Sequence, residues 1–278
     1  MKIAVCFSGE SRTWKNALAS IKDFYSGDHK FYFFGHVWAN NTWGNHPAFP
    51  EPEILDPKEL EEELRANIRF AKLVVEPHKA VSDYSEYEQY IWPEEEIFGK
   101  KLALNTTVPI TWRSPFYSMM RSNHYKYLCE QNNNMHFDVV VRARLDVCYQ
   151  PGSKLDQFLP SVIQPHAVYC NTNYFKHEYM MPAINDVFYF GSSDTMDLID
   201  SFYRVYHNGD FFKMLDCDYF DGGYKTVGPG VLLYKWLGMK NILPINAGFM
   251  QMPVIRKTAE DLVWPFDFDK ILEAYSAW

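Results

Sequence analysis

The chain of 278 residues has only five cysteines, no long basic run, no charge-free apolar stretch near the ~20 residues that cross a bilayer, and no Gly-x-Gly-x-x-Gly fingerprint. Each absence excludes something. A formal net charge of −8 argues against broad nucleic-acid binding, because a phosphate backbone repels such a surface. The lack of a long apolar run argues against a membrane span, and with it goes the expectation of a cytoplasmic protein. Cys6, Cys129, Cys148, Cys170 and Cys217 are odd in number and widely spaced, which suits reduced core thiols better than a disulfide framework or a zinc site. The missing glycine fingerprint disfavours a dinucleotide-binding enzyme. Internal repeats and low-complexity tracts are lacking too.

What is present is apolar and aromatic. Hydrophobic residues make up 47% and Phe, Trp and Tyr 17%, enough for a substantial core and for flat faces that stack on sugars or bases. The nearly continuous apolar run Lys2 to Phe7 reads as a strand buried on both faces rather than as a signal segment. It opens into Ser8-Gly9-Glu10-Ser11-Arg12, and Trp14, Ala17, Leu18 and Ile21 then show helical spacing. Phe31 to Val37 supplies a second strand. Asp56-Pro57-Lys58-Glu59 starts a helix with an N-cap, a proline at the first helical position and a glutamate for a capping box. Leu73 to Glu76 is a short strand before Pro77. Ser114-Pro115 repeats the start signal, and Phe116, Met119, Met120, Tyr127 and Leu128 predict the buried stripe of a helix that ends at Asn132 to Asn134. Val139 to Val141 reads as a central strand, Asp186 to Phe190 as another, and Met196 to Tyr206 and Val231 to Leu237 as helices. Strands alternating with helices predict an α/β fold with a mostly parallel sheet.

The most informative segment is Val139 to Asp146. Alternation along a strand places Arg142, Arg144 and Asp146 on one face near its C-terminal end. Two cations and one carboxylate there could stabilise a departing diphosphate; they could equally form an Arg–Asp cluster that orders the turn. Tyr117, Arg121 and His124 share one flank of the preceding helix, with Arg121 placed to reach a phosphate or ribose.

Taken in order, these segments resemble the small GT-A glycosyltransferases of phage genomes and bacterial surface-polysaccharide loci. The resemblance is carried by Ser8-Gly9-Glu10-Ser11-Arg12, by His36-Val37-Trp38, by the Arg-x-Arg-x-Asp pattern of Arg142, Arg144 and Asp146, and by Asn185-Asp186-Val187-Phe188-Tyr189-Phe190-Gly191-Ser192 followed by Met196. It implies one GT-A-like domain over residues 1–278, with a Rossmann-like central sheet, a nucleotide-binding half at 1–146 and an acceptor-side half at 147–278. It implies a role in polysaccharide biosynthesis, with a nucleotide-sugar donor, a UDP-sugar first, and a glycan or other hydroxyl acceptor. Phe7, Ser8 and Gly9 would line base and ribose, and Arg12 would reach the phosphates.

The same resemblance makes Asp146 a ligand of a divalent cation, Mn²⁺ or Mg²⁺, against the diphosphate. The sequence departs from the pattern here: Asp146-Val147-Cys148 lacks a second carboxylate, and a thiol suits a hard cation poorly. The one literal Asp-x-Asp is Asp216-Cys217-Asp218. Asp186 would lie near the transferred sugar, where a carboxylate either deprotonates the acceptor or stabilises an oxocarbenium-like transition state; the alternative is a cap on the strand. Trp38, Trp43 and the Tyr219 to Tyr224 stretch are candidates for holding acceptor sugar. A second function class, a noncatalytic nucleotide- or carbohydrate-binding module on the same scaffold, follows from the missing carboxylate.

Overall fold

A computed structural model of the chain describes residues 1–11, 14–39, 55–77, 107–174, 182–203 and 229–247. In order these form β1 (Lys2–Glu10), α1 (Trp14–Phe24), β2 (Lys30–Trp38), α2 (Pro57–Asn67), β3 (Phe70–Glu76), α3 (Thr107–Asn133), β4 (Val139–Ala143), β5 (Ala167–Tyr174), β6 (Pro182–Gly191), α4 (Ser193–Asp200), α5 (Pro229–Met239) and β7 (Leu243–Asn246).

The seven strands make one sheet in the order β3-β2-β1-β4-β6-β5-β7. Pairing is parallel between β3, β2, β1 and β4 and between β5 and β7, while β6 runs antiparallel to both of its neighbours. The fold is therefore α/β with a mostly parallel, Rossmann-like sheet, and its strands come from both halves of the chain.

Alternation sends the two faces of each strand to different cores. Ile3, Val5, Phe7, Val139 and Val141 pack with Trp14, Ala17, Ile21 and Phe24 of α1 and Leu60 and Leu64 of α2. Ala4, Cys6 and Val140 pack on the opposite face with Phe116 and Met119 of α3, Met196 and Ile199 of α4, and Leu232, Leu233 and Trp236 of α5. Helices thus cover both faces, which explains why residues 3–7 of β1 and 139–141 of β4 are apolar without interruption.

The cap expected on α2 is there: an Asp56 side-chain oxygen accepts from the amides of Lys58 at 2.8 Å and Glu59 at 3.1 Å, and Pro57 follows. Asn134 ends α3 with φ +46, the left-handed turn that asparagine tolerates. Two expectations for α3 fail. Its backbone is helical from Thr107, so Ser114-Pro115 lies inside the helix; Pro109 sits in the first turn, where a missing N–H costs nothing, and Pro115 removes one bond without stopping the helix. The buried stripe is also different, with Tyr127 and Leu128 exposed by 44% and 40%.

Beside Phe116 and Met119, which are buried as expected, and Tyr125, α3 buries polar residues: Ser118, Ser122, Asn123, Lys126 and Glu130. Lys126 Nζ donates to Glu130 at 3.0 Å, to the Ser193 hydroxyl at 2.6 Å and to Asp197 at 2.7 Å. Asn123 reaches Asp197 at 2.6 Å, and Ser193 and the Phe137 amide donate to Glu130 at 2.8 and 2.9 Å. Burial works against the ammonium, yet Asp197 and Glu130 keep the Lys126 pKa above its ordinary value. These bonds fix α3 to α4 over the sheet.

Candidate functional site

The chain goes from β1 outward to β2 and β3, then returns to place β4 on the other side of β1. This reversal of strand order leaves a crevice at the C-terminal ends of β1 and β4, the place where open α/β sheets bind ligands. The register pairs Cys6 with Arg142 and Phe7 with Ala143, so Arg144-Leu145-Asp146 leave the sheet beside Ser8-Gly9-Glu10, which continue β1 in pairing with β2 alone. The two segments singled out in the sequence meet here.

On the β1 side, Phe7 is fully buried among Tyr25, Phe33 and Phe70 at ring distances of 5.9, 6.1 and 6.1 Å. It supports the crevice from within the core and does not line it. Ser8 points to the α3 side, paired in register with His36. Its buried hydroxyl has no hydrogen-bond partner among the described residues. Gly9 has φ +109, a conformation that disfavours other residues. A Cβ placed there would meet no heavy atom within 4 Å among the described residues, so the backbone and not packing calls for glycine. Arg12 lies outside the described residues, as do Trp43, Asp216 to Asp218 and Tyr219 to Tyr224.

On the β4 side the two arginines separate. Arg142 is buried, its Nη1 donates to the Ala143 carbonyl, and burial lowers its pKa. It shares a register row with Cys6 and Tyr189, on the α3 side of the sheet. Arg144 keeps 20% of its side chain exposed while Asp146 keeps none. Its Nε donates to Asp146 Oδ1 at 2.8 Å and its Nη2 to Oδ2, a two-point pair. Burial would lower the Arg144 pKa, but Asp146 foremost, then Asp186 and Glu10, raise it. The cluster reading of this strand end is thus what the structure shows, with Arg144 and Asp146 as its members.

Asp186 belongs to β6, which runs antiparallel beside β4 with Tyr189 opposite Arg142. It is half-buried and close enough to act electrostatically on both arginines. It is not the turn cap of its strand, because β6 begins at Pro182 and Asp186 lies within it; beside it, Asn185 Oδ1 accepts from the Val187 amide at 2.8 Å.

A GT-A-type metal would need Asp146 plus further hard oxygen donors. Both Asp146 oxygens already receive the Arg144 guanidinium, Val147 follows, and the Cys148 thiol is buried 3.5 Å from the Ser20 hydroxyl on α1. Among the described residues no group of three or more His, Cys, Asp or Glu side chains could hold a metal ion. The donor set around Asp146 among the described residues does not fit Mn²⁺ or Mg²⁺. Cys148 is a core thiol, like Cys6 and Cys170, whose pKa values burial drives up, that of Cys170 to about 12.

Helix α3 closes the crevice above β1 and β2. The Tyr117 ring is stacked with Trp38 at 5.8 Å and meets His36 edge-on at 5.3 Å. Arg121 lies over the Tyr117 and Tyr125 rings at 5.8 and 5.4 Å and donates to the Tyr125 hydroxyl at 3.0 Å. Its Nε is buried without a hydrogen-bond partner among the described residues. His124 does not join them; its ring is stacked with that of the exposed Tyr127 at 6.4 Å.

Three residues that sequence reasoning did not place in the site hold it together. Ser118 donates to the His36 carbonyl at 2.6 Å and accepts the Gly9 amide at 2.8 Å. His36 Nδ1 lies 3.0 Å from the same hydroxyl, and Nε2 lies 3.5 Å from Glu76. Burial lowers the His36 pKa and Glu76 partly restores it; Glu76 is itself lowered, first by its hydrogen bond to His36. A polar series at Ser118, Ser122, Lys126 and Glu130, four residues apart, was the available signal.

No protein-family model matches the sequence, and no curated protein matches it. Among solved structures, the apo form of mouse xyloside xylosyltransferase 1 is similar at 10% identity and a TM-score of 0.38, over 88% of this chain and 83% of that one. A glycosyltransferase involved in glycosylation of the major capsid of PBCV-1 is similar at 10% identity and a TM-score of 0.35, over 88% and 82%. At values this low no residue role passes from either protein to this chain. The chain's own strand order, helices on both faces and switch-point crevice define a GT-A-like α/β fold. Among the described residues no helix is long and apolar enough to cross a membrane.

Proposed function

We propose that this chain is a glycosyltransferase that moves a sugar from a nucleotide-sugar donor, a UDP-sugar first, to a glycan or other hydroxyl acceptor. The observation that carries this reading is the meeting of Ser8-Gly9 and Arg144-Asp146 at the reversal of strand order. The nucleoside lies against Ser8 and Gly9 beneath Tyr117 and Arg121. Arg144, fixed by the sealed Asp146 carboxylate, turns its remaining N–H groups to the diphosphate, joined by Arg12. Arg142 acts from behind the strand, bracing Ala143. No step of this reading is assigned to a divalent cation.

Asp186 is the proposed catalytic residue. In the inverting course the acceptor oxygen bonds to the anomeric carbon, the bond to the diphosphate oxygen breaks, the acceptor proton passes to Asp186 and UDP departs with the electron pair. In the retaining course the same carboxylate stabilises the oxocarbenium-like transition state. The anomeric configuration of the product distinguishes the two.

The test is release of UDP from a panel of UDP-sugars, with and without acceptor glycans. Turnover that falls at least a hundredfold in Asp186→Asn, with UDP affinity retained, supports the enzyme. Tight UDP binding with no turnover on any donor would instead establish the binding module, a reading favoured by the single carboxylate at the strand end.

A further inference from the structure

We propose that Ser118 is the positioning residue of the nucleotide site: it holds the Gly9 peptide so that the bare Cα of Gly9 forms the surface against which the nucleoside packs. The inference rests on the nucleotide-sugar reading above and deepens it.

A hydroxyl has one hydrogen to give and two lone pairs to fill. Ser118 is fully buried and uses all three, giving its hydrogen to the His36 carbonyl and accepting from the Gly9 amide and His36 Nδ1. Because its hydrogen is spent on the carbonyl, the contact with Nδ1 requires that ring nitrogen to be protonated. One side chain of α3 thereby joins the ends of β1 and β2 in a single arrangement.

The consequence falls on Gly9. Its N–H turns toward α3 and is occupied, so it has no hydrogen to offer a ligand. With φ +109 and no heavy atom of the described residues within 4 Å of a Cβ position, the α-carbon instead presents an open face. The unpartnered, buried Ser8 hydroxyl is the adjacent residue, and the unpartnered Arg121 Nε lies one helical turn beyond Ser118. A flat ligand with hydrogen-bonding edges, such as a pyrimidine nucleoside, matches an open α-carbon surface at a strand end whose neighbouring elements carry buried polar atoms without partners among the described residues.

The experiment is UDP binding by calorimetry on the full chain, combined with hydrogen exchange at the Gly9 amide. Ser118→Ala is expected to weaken UDP about tenfold and to speed Gly9 exchange at least tenfold, and Ser118→Thr, which restores the hydroxyl, to recover both. Gly9→Ala, which covers the open face and also strains the φ +109 backbone, is expected to weaken UDP at least tenfold, with hydrogen exchange at residue 9 reporting whether its amide stays bonded to Ser118; it serves alone if Ser118→Ala does not fold. UDP affinity unchanged in folded Ser118→Ala or in Gly9→Ala overturns the proposal and leaves the nucleotide reading standing. Absence of UDP binding to the unaltered protein overturns both.

Discussion

Arg144 engages both oxygens of Asp146 from two nitrogens, and of the two side chains only the guanidinium reaches solvent. The carboxylate therefore serves the arginine. Removing it leaves a cation without its partner in a largely desolvated place, which typically costs about 3–5 kcal/mol. Asp146→Asn is expected to lose stability in that range by urea denaturation. A loss below about 1 kcal/mol would mean the pair is not held as described.

Arg144 should matter to ligand as well as to fold, since its removal also leaves the buried Asp146 carboxylate without its cation. Arg144→Gln is expected to weaken UDP at least tenfold, since a charge-assisted contact to phosphate contributes about 1.5–3 kcal/mol. EDTA is expected to change the UDP affinity of the unaltered protein by less than about twofold, because Asp146 has no free oxygen pair for a cation. Calorimetry with and without Mn²⁺ measures both.

Lys126 ties α3 to α4 through two carboxylates and a serine. Lys126→Met keeps the volume but leaves Glu130 buried without its cation, and the expected loss is about 3–5 kcal/mol. Denaturant titration checks this, and a loss within about 1 kcal/mol would contradict the network.

The fold is expected to weaken in acid through His36 and Glu76. The His36 pKa is lowered from its ordinary 6.5 by burial, so the unfolded chain takes up this proton first. Its contribution is complete above about pH 6.5 and declines as the pH falls toward the folded-state value. Glu76 is lowered from 4.5, and its contribution is lost only as the pH falls below that value. Melting temperature should therefore drop between pH 7 and pH 5, and His36→Gln should flatten that part of the profile. An unaltered drop in the variant would assign it to other groups.

Much of this was legible in the sequence because it depends on local chemistry. The apolar run of β1, the Asp56-Pro57 helix start and the apolar triplet of β4 each follow from pattern alone, and together they imply the switch-point crevice. Alternation failed at the strand end, because β4 stops at Ala143 and Leu145 and Asp146 form a turn, and which partner Asp146 would take is a matter of three-dimensional proximity. Phe7 was placed in the site by resemblance, although period-two alternation from Val5 sends it to the core with Ile3 and sends Ser8 toward α3. The face of α3 departs from its apolar pattern only in its C-terminal half: Phe116 and Met119 are buried, but beyond them the helix buries Lys126 and Glu130 in place of Tyr127 and Leu128 because α4 brings Ser193 and Asp197 against them. A single helix's periodicity does not contain its partner's charges. The reversed direction of β6 was likewise invisible, since it is set by the connections on either side and not by the strand's own residues.

The most direct test of the central claim is a crystal structure of the full chain with UDP bound. The account predicts the nucleoside against Gly9 beneath Tyr117, the diphosphate within hydrogen-bond distance of the Arg144 nitrogens that do not face Asp146, and the Arg144–Asp146 pair intact. UDP bound away from the ends of β1 and β4, or a cation bridging Asp146 to the diphosphate with Arg144 displaced, would contradict it.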